Sequence, residues 1–431
     1  MVNIMVESPV IEGLIGRVQR AKDRNLPPQL IAQYEKQLAT FQKGLDPKGD
    51  GRHIVWSPGG GGPGAVMECF KNLNHFNVTG YGYLAGVWGF ASRYIDIADK
   101  AGFNRDTCSS VRVTIGVALS GEVPPPELVL ASSLWCENFR PWSFVAAHYG
   151  VPMYEVECPQ PYYDKESAVA YQVKDYERFI RFMEEMFDQK LDRDELDRRV
   201  KARFRAAEVS REINVLRQAV PTPIKGRDAM RLYVGWDGAP ASGGDEGGHS
   251  SVEDDATSNK ALKGLMAMRD AVKAKVEKGD GVVPEEKYRL IWCQTPPFYT
   301  DLTGYMEKEH GAVCVFNDPH KQIWWEEGEF DGLPPLEALA RMALGEPWGG
   351  PGTRRIEGLV QNAKDYKADG IIFFKSWGCR VAGVHGRQLQ EAMLKEVGIP
   401  VLILDEDYVD ADNYSDEETK TKLDSFIYMM E

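Results

Sequence analysis

The chain has 431 residues, of which 43% are hydrophobic and 27% charged, and its formal net charge is −14. This is ordinary globular composition, long enough for two or three domains. The acidic balance argues against nucleic acid and anionic lipid as partners, because both need a basic surface, and no apolar run approaches the roughly 18–20 residues that span a bilayer.

The first residues, MVNIMVESPVIEGL, hold no basic segment leading into an apolar core. No signal peptide is expected, and the cytosol is the expected compartment. Residues 1–45 read as polar helix, broken at Pro27-Pro28, where the ring and the missing amide stop propagation. They define an N-terminal helical segment over 1–50. Residues 46–64 are rich in Gly and Pro and form a loop around a short strand, HIVW. From 65 to 165 apolar runs alternate with helical patterns. ELVLASS and PMYEVEC are the clearest strands, with a helix from about Arg140 to Tyr149 between them. Such alternation predicts βαβ units on a parallel sheet, giving a first α/β domain over 51–165.

Residues 166–218 are charged and helical, within a middle segment taken as 166–230. Asp192 and Glu195 in LDRDELDRRV make a capping-box pattern, which predicts a second helix start. GWDGAPASGGDEGGHSSVEDDATSN is Gly-rich and acidic, so a solvated loop is expected, with a lid over a site as the alternative. From about 260 the alternation resumes. A helix (about 258–277) precedes YRLIWCQ; further helices separate the strands AVCVFN, GIIFFKS and PVLILDED. This predicts a second α/β domain over 231–431. The fold class is therefore α/β, with two doubly wound parallel-sheet domains and helical N-terminal and middle segments.

Seven cysteines in a chain of this size do not make a disulfide scaffold. Cys293 and Cys314 sit in apolar strands and read as small buried hydrophobes, and Cys158 ends a strand and reads the same way. Three others differ. LVLASSLWCENF ends a strand and reaches Cys136; GIIFFKSWGCRV ends a strand and reaches Cys379; NRDTCSSVRVTIG carries Cys108 where a helix starts. Ligands in open parallel sheets bind beyond the carboxyl ends of the strands, and the start of a helix favours a thiolate. Three thiols on three loops suit a [4Fe–4S] cube with one iron left open. Zinc competes, but no cysteines here form the C-x₂₋₄-C pairs it commonly takes. On spacing alone, unconnected structural thiols outweigh either metal.

The remaining motifs are weak. SPGGGGPG at 57–64 lacks the Lys of a P-loop, and GYGYLAG from Gly80 contains a G-x-G-x-x-A match without a clear preceding strand, so Gly-permitted turns are expected at both. No ATP site is expected on this chain. His75, His148 and His320, with Tyr81 and Tyr83, are candidate proton donors, although surface or core roles are the better reading of each. Trp324, Trp325 and Trp348 could line an acyl pocket, with core packing as the default.

From about residue 60 to the end, the chain resembles the 2-hydroxyacyl-CoA dehydratase / benzoyl-CoA reductase superfamily. Within it, the similarity is to the larger, cluster-carrying subunit of the class I, ATP-dependent benzoyl-CoA reductases. AVMECFKNL, YIDIADKAGFNRDTCSSVRVTIG, PPPELVLASSLWCENFRPW, EKYRLIWCQTPPFYTDLTGYMEKEHGAV, YKADGIIFFKSWGCRVAGVHGRQLQEAM and GIPVLILDEDYVDADNYSDEE carry it in order. The resemblance implies two flavodoxin-like domains. It also implies one [4Fe–4S] cluster on Cys108, Cys136 and Cys379, with Cys69 in MECF as a secondary candidate. Implied partners are a smaller homologous cluster-carrying subunit, an ATP-hydrolysing iron–sulfur activator and an acyl-CoA substrate, with no nucleic acid and no membrane. The implied reaction is low-potential reduction of an aromatic acyl-CoA ring to a cyclic diene. The alternatives are radical dehydration of a 2-hydroxyacyl-CoA and an electron-relay subunit without chemistry of its own. GYGYLAGVWGF lacks a carboxylate that dehydratases tend to carry in this region, which favours reduction. WSPGGGGPG is more Gly-rich than the superfamily leads one to expect.

Overall fold

A computed structural model describes residues 8–24, 52–57, 64–133, 139–159, 164–230, 259–318, 328–345 and 351–431, with part of 31–45. Cys136, Pro27-Pro28, His320, Trp324, Trp325, Trp348, most of SPGGGGPG and nearly all of the acidic Gly-rich loop lie outside the described residues.

Among the described residues, eight strands form two parallel sheets. The first contains β1 (His53–Ser57), β2 (Leu73–Asn77), β3 (Leu128–Ser132) and β4 (Met153–Val156), in the order β2-β1-β3-β4. The second contains β5 (Tyr288–Cys293), β6 (Ala312–Asp318), β7 (Gly370–Ser376) and β8 (Val401–Glu406), in the order β6-β5-β7-β8. Every pairing is parallel. The two orders are the same when strands are counted within each half. β3 and β7 therefore hold equivalent places, beside the first strand of their sheet where the order reverses. The α/β fold with two doubly wound parallel sheets is thus as expected.

The strands form where parallel-sheet physics demands. All seven residues of β6 are buried, as are six of the seven in β7. Helices cover both faces of such strands, so their sequences read as continuous apolar runs rather than alternating ones. Edge strand β4 buries Val156 alone of its four residues.

Helices flank the sheets: α1 (Pro9–Asp23), α2 (Val78–Val87), α3 (Ala91–Lys100), α4 (Ser109–Leu119) and α5 (Phe139–Tyr149) around the first; α6 (Lys165–Phe187) and α7 (Arg193–Leu216) in the middle segment. Then come α8 (Asn259–Lys278), α9 (Leu302–His310), α10 (Pro335–Gly345), α11 (Gly352–Asp365), α12 (Gly386–Glu396) and α13 (Asp416–Tyr428). Asp192 caps α7, its Oδ1 accepting from the Glu195 amide at 2.9 Å, as the capping-box pattern predicts.

One apolar core joins the two sheets. Trp56 and Val129 of the first pack in it with Leu290, Trp292, Phe374 and Leu404 of the second. Leu423, Phe426 and Ile427 of α13 complete it. Each such side chain contributes roughly 1.5–3 kcal/mol on burial, so the halves are held as a unit. A second core on the other face of the first sheet takes Leu336, Leu339 and Leu344 of α10 against Val55, Leu130 and Phe179.

Two elements depart from expectation. β2 precedes GYGYLAG, which is not a turn but helix α2, capped by the Asn77 side chain accepting from the Gly80 amide at 2.8 Å. The strand LNHFN carries Asn74, His75 and Asn77, so its polarity hides it. Gly82 serves packing instead of phosphate binding: a Cβ there would lie 3.1 Å from Val113 Cγ1 of α4. Helix α13 is the second addition. Its signature was present, because Ser415 accepts from the Glu418 amide in an S-x-x-E capping pattern.

Candidate cysteine site

Cys108 is the N-cap residue of α4, and Cys379 is the N-cap of the short turn Arg380–Gly383 that follows β7. They come from different halves of the chain and lie beside one another, the backbone at Gly378 packing against that of Cys108. Both are half-buried. The approach depends on Gly378, whose φ of +68° is left-handed. A Cβ on Gly378 would lie 2.6 Å from Cys108 N and 2.7 Å from Asp106 O, both backbone atoms that cannot swing aside. Gly378→Ala should therefore cost about 1–2 kcal/mol for the left-handed backbone, with the clash in addition. A urea-unfolding midpoint equal to that of the unsubstituted protein would contradict this close approach.

The Cys379 thiol, and then burial, push the Cys108 thiol well above its ordinary range, while the amides of Ser110 and Val111 at the helix start act the other way. Two thiolates side by side repel, so the pair keeps its protons until positive charge enters. A bound metal supplies that charge and ionises its thiol ligands outright. Thiolates are soft donors, suited to iron–sulfur clusters and zinc. In donor type the pair fits a thiolate-bound cluster.

The expected third thiol is Cys136. The described chain stops at Ser133, just past the end of β3, and Cys136 lies outside the described residues. Among the described residues no group of three or more His, Cys, Asp or Glu side chains gathers to hold a metal. Cys69 is not brought to the pair. It is buried in the core on the other face of the first sheet, where its Sγ donates to Ala65 O at 3.1 Å and burial pushes its thiol up to about 12. Cys158, Cys293 and Cys314 are buried, and burial raises all three thiols.

Several residues around the pair have no obvious mark in the sequence. Gln294, just after β5, has a left-handed φ of +81° and places its Nε2 3.7 Å from Cys379 Sγ. Ser109 Oγ donates to Asp407 Oδ1 at 2.6 Å, and the same oxygen accepts from the amides of Val409 and Asp410. That carboxylate ties the start of α4 to the loop after β8. The Tyr83 ring of α2 packs tilted at 4.8 Å from Phe298, which lies 5.6 Å from Tyr408. Tyr83 Oη sits 2.7 Å from Ser110 Oγ and 3.4 Å from Tyr408 Oη. Burial, then Tyr83, Cys108 and Cys379, drive the Tyr408 hydroxyl well above its ordinary range. Aromatic rings from both halves thus pack together beside the thiols. The signal that finds these residues is positional: Gln294 and Tyr408 each follow the carboxyl end of a parallel strand.

Other candidates fall elsewhere. His148 is exposed on α5 and stacks on Phe144 at 6.4 Å; His75 lies half-buried in β2. Tyr81 is buried and hydrogen-bonded to Ser8. Behind the second sheet, Arg355 of α11 holds Asp318 at the end of β6, with Nε at 2.9 Å and Nη2 at 2.6 Å from Oδ2.

This fold, with cysteines converging beyond paired parallel sheets, belongs to the 2-hydroxyglutaryl-CoA dehydratase D-component family, which the chain matches over residues 64–430. The chain is also 23% identical over 426 residues to one of the benzoyl-CoA reductase subunits of Thauera aromatica, covering 93% of this chain and 94% of that protein. The superfamily indicated by the cysteine-bearing segments is therefore the right one, and the class I assignment is consistent with it. Among the described residues no helix is long and apolar enough to cross a membrane.

Proposed function

We propose that this chain is the iron–sulfur subunit of an ATP-dependent benzoyl-CoA-reductase-like enzyme, with Cys108, Cys136 and Cys379 binding one [4Fe–4S] cluster. The observation that carries the proposal is the meeting of Cys108 and Cys379 from separate halves. Bound there, a three-thiolate cube would supply single low-potential electrons and keep one iron open. The aromatic ring of an acyl-CoA takes up two electrons and two protons and becomes a cyclic dienoyl-CoA. The conjugated thioester spreads the charge of the first added electron.

The protein's share is placement and exclusion of water. Gly378 lets the two backbones close, the Ser109–Asp407 bond fixes the start of α4, and Tyr83, Phe298 and Tyr408 pack an apolar cluster beside the pair. In this proposal the lobes are 51–165 and 231–431, with 1–50 and 166–230 as helical additions. A smaller homologous cluster-carrying subunit pairs with this chain in the cytoplasm, and an ATP-hydrolysing iron–sulfur activator delivers the electrons. The Thauera protein is itself named as a subunit, which supports a multi-subunit enzyme.

Dehydration of a 2-hydroxyacyl-CoA is the second reading, favoured by the description of the matching family. The two differ in stoichiometry. With activator and partner present under anaerobic conditions, ring reduction should consume ATP and reductant in proportion to product, whereas dehydration should need them only catalytically. Formation of an enoyl-CoA from a 2-hydroxyacyl-CoA, with no ring reduction, would replace the first reading by the second.

A further inference from the structure

The buried amide beside Cys379 has a role that sequence patterns do not disclose. We infer that Gln294 is a positioning residue that donates a hydrogen bond from Nε2 to the Cys379 sulfur and thereby raises the reduction potential of the centre held there. The inference rests on the reading of Cys379 as a cluster ligand.

Three observations support it independently of one another. The first is the contact itself, Gln294 Nε2 to Cys379 Sγ at 3.7 Å, within the reach of an N–H···S bond. The second is the backbone. Gln294 holds a φ of +81°, a region costly for any residue with a Cβ and sparsely used outside Gly, Asn and Asp. Such outliers persist where the surrounding structure fixes them, and they cluster at functional sites. Here the fixing partner is Asp318, whose carbonyl accepts from the Gln294 amide at 2.8 Å across the β5–β6 pair. The third is orientation. Gln294 is 6% exposed, and its Oε1 accepts from the Thr295 amide at 3.0 Å. With the carbonyl end so engaged, the amide's N–H₂ end is the one turned to the sulfur.

The placement also has a topological reason. β5 and β7 are neighbours in the second sheet. Gln294 leaves the first at its carboxyl end, and Cys379 follows the second. This is the crevice where the strand order reverses, which open α/β sheets use for ligands. Hydrogen bonds to ligand sulfur stabilise the added electron by drawing charge from the thiolate, and they are a recognised lever on cluster potential. A chain that must pass low-potential electrons would use such a bond to set how low.

The test uses the protein purified anaerobically with its partner subunit. Three variants separate the contributions. Gln294→Leu keeps the Cβ and the left-handed strain but removes the donor; Gln294→Gly removes both; Cys379→Ser identifies which paramagnetic signal belongs to this site. Iron and acid-labile sulfide are measured first, then the midpoint potential of the assigned signal by redox titration. Gln294→Leu and Gln294→Gly should keep their iron, and both should lower the potential by a similar amount. The expected size is about a tenfold change in the reduction equilibrium, or about 59 mV for one electron. Retained iron with an unmoved potential in both variants overturns the role of Gln294 and leaves Cys379 as a ligand. A signal and iron content untouched by Cys379→Ser overturn the ligand reading and this inference with it. If Gln294→Leu does not fold, the Gly variant, which relieves the strain, still decides the question.

Discussion

Replacing Cys379 by Ser should strip the anaerobically purified protein of most of its iron and acid-labile sulfide, from about four iron per cluster site toward none. Cys108→Ser should do the same. The reason is geometric: these cysteines are brought together from two halves of the chain, and a serine oxygen is a hard donor poorly matched to a thiolate cluster. Cys69→Ser is the control. Its sulfur lies in a separate core and donates to Ala65 O, so iron content should be unchanged and the cost confined to stability. Cys136→Ser belongs in the same series and should behave as Cys379→Ser does. Equal iron in the Cys108, Cys379 and Cys69 variants would remove the basis for a cluster at this place.

Arg355→Leu should destabilise the fold by about 3–5 kcal/mol, the usual consequence of leaving one partner of a buried ion pair alone. Arg355 and Asp318 are 3% and 0% exposed, and two guanidinium nitrogens reach one carboxylate oxygen. Neither solvent nor salt can screen the carboxylate once the guanidinium is gone. The double replacement, Arg355→Leu with Asp318→Leu, should recover much of the loss, because a buried pair is often worth little more than apolar packing of similar volume. Urea unfolding read by tryptophan fluorescence measures both. Because Asp318 anchors the Gln294 backbone, the single variant should also disturb the cysteine site, whereas a surface ion pair such as Arg387–Glu391 should be silent in both respects.

Much of this molecule can be read before it is seen, for physical reasons. Strands such as β3, β6 and β7 are buried on both faces, so their apolar runs announce them. Helix α7 announces itself through Asp192 and Glu195. β2 does not, because Asn74, His75 and Asn77 interrupt it, and the glycines after it suggest a loop where Asn77 in fact starts a helix. At the site, Cys108 and Cys379 are legible because cysteine at the start of a helix is chemically pointed. Gln294 and Tyr408 are ordinary residues in sequence and acquire meaning only when β5, β7 and β8 are laid side by side. The pairing of α10 with the first sheet, far from it in sequence, is equally silent, since an apolar helix face does not say which sheet it will cover.

The meeting of Cys108 and Cys379 also has a consequence in time. A ribosome adds about 5–20 residues per second, so the Cys108 thiol exists for roughly tens of seconds before Cys379 has been made. Until the second sheet folds onto the shared core, Cys108 lacks the Cys379 thiol that the finished fold sets beside it. A cluster that needs both thiols is therefore delivered only after the second half has folded onto the first.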